Sequence, residues 1–232
     1  MGARRALGLG CVVVALLSAC ARERQSPRAG ATASPTPTAR TLLPSATPSP
    51  PRVVAQQDWV PFARAGEVTL RLPSSRVELV GFHQSNHEGA RELTVLPGAP
   101  RPRTLESRGR LTSARTAADV VSDPDVEIRA PVTGTVKRAG RYVLYCRYSD
   151  DYLVIAPDVH PSWEVKLLHI DGVRVRPGDR VVAGETVVAP RPTKLPFASD
   201  TDAFSAKPPW PHVHIEVVDP AIPNRPSPGS GC

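Results

Sequence analysis

From Val53 onward the sequence is a run of short stretches in which apolar and polar residues alternate, each cut off by glycine or proline. Alternation with a period of two sends one set of side chains to a core face and the other set away from it. Such stretches occupy 68–72, 77–80, 126–129, 142–146, 152–155, 163–168, 181–182, 186–188 and 212–218. Pro131, Gly134, Gly172, Gly178, Gly184 and Pro190 punctuate them. Hardly any segment carries the 3.6-residue apolar spacing of an amphipathic helix. Many short strands with frequent turns predict an all-β domain, an antiparallel sandwich or barrel-like sheet. About 180 residues are available for it, enough to bury one sizeable core. No internal repeat is evident.

The first 52 residues are built differently. Arg4 and Arg5 precede an apolar run from Ala6 to Leu17 that is broken only by glycines. A dozen residues is too short for a bilayer that needs about 20, but it fits the apolar region of a secretory signal. The run ends in Leu17-Ser18-Ala19-Cys20, which resembles the bacterial lipobox, whose cysteine is acylated before cleavage. Residues 1–19 are therefore read as a lipoprotein signal peptide and Cys20 as the lipidation site. Residues 20–52 are Pro, Ser, Thr, Ala and Arg without apolar periodicity, a composition that cannot bury enough surface to offset the entropy of ordering it. At about 3.1 Å per residue, proline-rich chain of this length extends roughly 100 Å. The expectation is a disordered tether on an exported protein, anchored to the outer face of the bacterial cell membrane.

Charge follows the same division. The whole chain carries +7, yet seven of its 29 basic residues and one of its 22 acidic residues precede Val53. The remaining 22 and 21 nearly cancel, so the basic balance is no argument for a nucleic-acid partner. Of the four cysteines, Cys11 leaves with the signal and Cys20 takes lipid. Cys146 and Cys232 remain as a pair in an oxidising compartment, where a disulfide is expected.

Chemistry is concentrated in six histidines, at 83, 87, 160, 169, 212 and 214. In a strand, His212 and His214 project from one face while Val213 and Ile215 pack on the other. Two neighbouring imidazoles suit a divalent metal, or one ligand and one general base. Glu216 shares that face and can orient an imidazole or form a surface ion pair. His83 and His87 stand with Gln84, Asn86 and Glu88 at the end of an apolar strand, in a segment whose Asn86 and Gly89 favour a loop. His160 sits in a proline-rich turn and is expected to be exposed. Trp210, beside His212, is open to either peptide contact or packing.

Three stretches in order carry a resemblance: Ile128-Arg129-Ala130-Pro131-Val132-Thr133-Gly134, then 164–185 with Leu167-Leu168-His169-Ile170 and Arg176-Pro177-Gly178-Asp179, then Pro211-His212-Val213-His214-Ile215-Glu216-Val217. Together they resemble the LytM/lysostaphin-type peptidoglycan endopeptidases, zinc metallopeptidases with a β-sheet core. The resemblance covers roughly 113–219, and divides the chain into a β-rich part at 53–112 and a LytM-like peptidase domain at 113–232. It implies that His214 and Asp119 bind zinc and that His169 and His212 are catalytic. The family's remaining ligand precedes the aspartate by four residues, where this chain has Arg115. A guanidinium has no lone pair for a metal. Two readings follow. Either His83 or His87 completes the site, giving an endopeptidase that acts on wall peptides, or the domain is a degenerate relative that binds wall or activates a partner hydrolase. Arg115 alone favours the second.

Overall fold

The computed structural model describes residues 51–56 and 58–224. The expected signal, lipidation site, most of the tether and Cys232 lie outside them. In chain order the strands are β1 (Ala55–Gln56), β2 (Pro61–Ala65), β3 (Val68–Arg71), β4 (Arg76–His83), β5 (Thr94–Val95) and β6 (Arg103–Thr104). There follow β7 (Ala117–Ser122), β8 (Ile128–Arg129), β9 (Gly134–Leu144), β10 (Tyr148–Pro157) and β11 (Glu164–Asp171). The last are β12 (Arg180–Val181), β13 (Val187–Ala189), β14 (Arg191–Pro192) and β15 (His212–Val218).

The expected all-β, antiparallel class is what forms. The large sheet runs β1-β4-β7-β15-β11-β10-β9-β12, with β6 beside β4 and β14 beside β11. Only the β4–β6 contact is parallel among these strands. The sheet does not close on itself, so the architecture is layered and open rather than a barrel. Two small sheets, β3-β2-β5 and β13-β8, complete it. Strands from both sides of residue 112 share the large sheet, since β4 pairs with β7 through six residue pairs.

One face of the large sheet is the core. Val80 and Phe82 of β4, Ala118 and Val120 of β7, Val213 and Ile215 of β15 and Val165 and Leu167 of β11 all point into it. Phe62 and Leu70 of the three-stranded sheet and Ile128 and Val188 of the two-stranded one cover them. The Phe62 and Phe82 rings lie 6.4 Å apart across the layers. Each such valine, leucine, isoleucine or phenylalanine, removed from water, contributes about 1.5–3 kcal/mol. Alternation then forces the odd-numbered residues of β4 and β7 and the even-numbered residues of β15 onto the opposite face, which holds the polar cluster.

Several strand ends differ from expectation for local reasons. Val126 turns back on Asp123 through its backbone N–H, so β8 begins only at Ile128. Trp163 closes a turn onto the His160 carbonyl and β11 starts one residue later. Tyr145 and Cys146 leave the strand to form the β9–β10 hairpin tip, with φ of 50° and 56°. Cys146 is disulfide-bonded, and its expected partner Cys232 lies outside the described residues. Arg52, at the end of the expected tether, is bound to the domain. It donates to the buried Glu78 carboxylate and covers the Trp210 ring at 4.1 Å. Trp210 is thereby a packing residue beside a small side cavity. His160 is half-buried, stacked on Trp163 at 3.9 Å, and not simply exposed.

Candidate metal centre

Strand register builds the site. His214 of β15 lies directly opposite Asp119 of β7, and Gly81 of β4 lies opposite Asp119 on the other side. His83, two residues on from Gly81, stands on the same face, diagonal to Asp119. Gly81 cannot be exchanged freely: a Cβ there would meet Thr201 at 2.9 Å and Leu105 at 3.2 Å, the segments that wall the cleft above β4.

His83 Nε2 is 3.1 Å and His214 Nδ1 2.9 Å from the same Asp119 oxygen, Oδ1. The three ligand atoms all lie within 4.8 Å of one another, and His83, Asp119 and His214 form a group that could hold a metal ion. The far nitrogens show that the donors fit this role. His83 Nδ1 is 2.9 Å from the Gln84 carbonyl, which can only accept, so Nδ1 carries a proton and, in the neutral ring, Nε2 presents a lone pair. His214 Nε2 faces Glu216 Oε2 at 3.9 Å, which favours a proton there and leaves Nδ1 for the metal. Ligand atoms of two imidazoles and a carboxylate thus converge on one point, which a cation can satisfy once His214 Nδ1 gives up its proton.

Electrostatics agree. Burial alone would raise the Asp119 pKa, but the neighbouring His212, His83 and His214 hold it well below the carboxylate range. Burial also disfavours a charged His214, yet Asp119 and Glu216 outweigh it and raise His214 to about 9. Burial lowers His212 to about 4, with His169 and His214 adding to the effect against Asp119, so His212 is neutral at pH 7. Glu216 falls to about 2, because His214, Lys166 and the Ser85 hydroxyl outweigh its burial.

A proton on His214 therefore occupies the place that a metal would take. Zinc titrated into metal-free protein at pH 7.5 should release about one proton per ion, since a ligating imidazole must be neutral. Apparent affinity should rise about tenfold per pH unit up to the His214 value. Calorimetry in buffers of differing ionisation enthalpy measures the proton count. A count of zero would remove His214 from the ligand set.

His169 reaches the site by another device. Between Tyr152↔Leu168 and Asp151↔Ile170 the β10–β11 register skips His169, which is thus a bulged residue, with φ of 63°. The bulge turns its ring toward the cleft, next to Leu168, while Ile170 returns to the core. His169 Nδ1 is 2.6 Å from Asp150 Oδ2, which also accepts from the Tyr142 hydroxyl at 2.7 Å and the His169 amide at 3.1 Å. The His169 and His212 rings are 5.0 Å apart and nearly perpendicular. Burial would raise the Asp150 pKa, but His169 and Tyr142 lower it. Asp150 and Tyr142 were not among the residues singled out from sequence. No histidine, glycine or motif marks them, and only the β9–β10 register brings them together.

His83, Asp119, Tyr142, His169, His212, His214 and Glu216 line one cleft of about 640 Å³, with Asp150 buried behind His169. Of the two candidate replacement ligands, His83 joins the cluster and His87 does not. His87 Nδ1 accepts from the Gly89 amide at 3.1 Å, which occupies its lone pair. Arg115 is outside the cleft, in an ion pair with Glu92 at 3.8 Å.

No family model matches this chain, and no curated protein does. Among solved structures, a zinc-containing peptidase from Vibrio cholerae is similar, at 16% identity and a TM-score of 0.33. The match covers 67% of this chain and 42% of that one, so the chain spans less than half of that protein's length.

Proposed function

We propose that the protein is a zinc-dependent endopeptidase of the LytM/lysostaphin kind, hydrolysing amide bonds in wall peptides while lipid on Cys20 holds it to the outer face of the membrane. The observation that supports it most is the three-donor set of His83, Asp119 and His214, with both outer imidazole nitrogens turned to acceptors. Two nitrogens and one oxygen suit zinc, and three protein ligands leave a fourth position open, as catalytic sites do. Bound there, zinc would polarise the scissile carbonyl and acidify a water.

The chain's own residues supply the rest. Asp150 fixes the His169 proton on Nδ1, so that Nε2 faces the cleft as a base able to take a proton and return it to the leaving amine. Neutral His212, its Nε2 3.8 Å from Asp119 Oδ2, stands across from His169 as the second proton carrier. Arg115, which argued for a degenerate site, has no bearing on one whose third ligand comes from β4.

Purified mature protein should carry about one zinc per chain and release peptide fragments from isolated peptidoglycan, a cleavage stopped by a chelator and restored by zinc. In cells, Cys20→Ser should shift the protein out of the lipidated membrane fraction. Sacculi that are bound but left uncut by zinc-loaded protein would favour the wall-binding or hydrolase-activating alternative.

A further inference from the structure

Among the described residues, one guanidinium in the cleft has no carboxylate within ion-pair distance. The segment 107–110 folds back over the site around Gln84, whose Oε1 accepts from the backbone N–H groups of Arg108 and Arg110 and from the Ser107 hydroxyl. Gly109 makes the turn at φ of 66°. Two arginines are thereby placed in the cleft, and they differ. Arg108 forms an ion pair with Asp200 on the opposite wall. Arg110 donates from Nη1 to the Gln84 carbonyl at 2.8 Å, and no described carboxylate lies within ion-pair distance of it.

The carbonyl that holds Arg110 is the one that accepts from His83 Nδ1. Arg110 is therefore one carbonyl away from a ligand of the candidate zinc, in a fixed position. An arginine has five donors in a planar fork. One is used, and the others have no hydrogen-bond acceptor among the described residues. A half-buried guanidinium with unused donors gains more from a bidentate carboxylate than an exposed, hydrated one does.

Resting on the endopeptidase reading above, we propose that Arg110 is a specificity-determining residue, and that the cleft selects peptides bearing a free carboxylate close to the amide bond to be cut. Anchored to Gln84, the guanidinium forms a two-point bond with that carboxylate and sets the register of the peptide across the metal centre. Arg108, already neutralised by Asp200, contributes only to the wall.

The test uses a wall-derived peptide with its carboxylates free and the same peptide with them amidated. Each is titrated into full-length mature protein, zinc-loaded and zinc-stripped, and binding is followed by calorimetry with cleavage assayed in parallel. The wild type should bind the free-carboxylate peptide about tenfold or more tightly, the value of a charge-assisted pair. That difference should collapse in Arg110→Gln and be partly retained in Arg110→Lys, which keeps the charge without the fork. Zinc content should be equal in all three proteins. Equal affinity of the wild type for the two peptides, no detectable binding of either, or a preference surviving in Arg110→Gln would each overturn the proposal. A carboxylate preference that depends on Arg110 without any cleavage would sustain it while refuting the hydrolytic reading.

Discussion

His83→Ala is expected to abolish both stoichiometric zinc and wall-peptide cleavage, whereas Arg115→Ala and Arg115→His should alter neither. The contrast is sharp because the two positions compete for one role. His83 offers Nε2 toward Asp119 from the end of β4, while Arg115 faces Glu92 outside the cleft. Loss of a group that only orients a ligand already lowers metal affinity about 10–100-fold. Loss of one of three ligands should exceed that, leaving zinc that dialysis removes, and activity should fall in step. Because His83 is buried, an alanine could loosen the strand end, so His83→Asn serves as a second variant. It retains a donor for the Gln84 carbonyl in a smaller side chain, but offers no imidazole lone pair. Thermal unfolding of the metal-free proteins separates folding damage from metal loss. About one zinc per chain in well-folded His83→Asn would exclude His83 as a ligand.

That pair of variants also marks where sequence pattern stops being informative. The β15 face was legible because alternation is a local property: Val213 and Ile215 had to be buried, so His212 and His214 had to share the other side. The all-β class followed from the same alternation repeated along the chain. The proposed third ligand was not legible as a single residue. His83 and His87 lie in one polar cluster, and only the register of β4 against β7, which sets His83 opposite Ala117, distinguishes them. Arg115 argues for a degenerate site only on the assumption that the ligand stays on the segment before β7. In the proposed centre an adjacent strand supplies it instead, from 36 residues upstream of Asp119. His169 shows the opposite case. Its place in the Leu167-Leu168-His169-Ile170 stretch singled it out through a resemblance, while the bulge and positive φ that aim it into the cleft had no glycine or proline to announce them.

Asp150→Asn should lower kcat on wall peptides by about 10²–10⁴-fold, the range expected when a proton-carrying histidine loses its orienting carboxylate. Zinc content should not change, because Asp150 touches none of the three candidate ligands and binds His169 instead. An ionised carboxylate only accepts, so it holds the His169 proton on Nδ1 and leaves Nε2 free to act as a base. An amide at the same position can turn its NH₂ toward Nδ1, which moves the imidazole proton to Nε2 and removes the base from the cleft. It also cannot accept equally well from the Tyr142 hydroxyl and the His169 amide, both of which now converge on Asp150 Oδ2. Tyr142→Phe removes one of these bonds and keeps the carboxylate, so its loss should be much smaller. A purely structural role for Asp150 would instead lower the thermal midpoint and zinc content together and reduce binding of peptide along with turnover. The deciding readout is therefore kcat at full zinc occupancy, with peptide affinity measured on the same preparation. Wild-type turnover in zinc-replete Asp150→Asn would show that His169 carries no proton in the reaction.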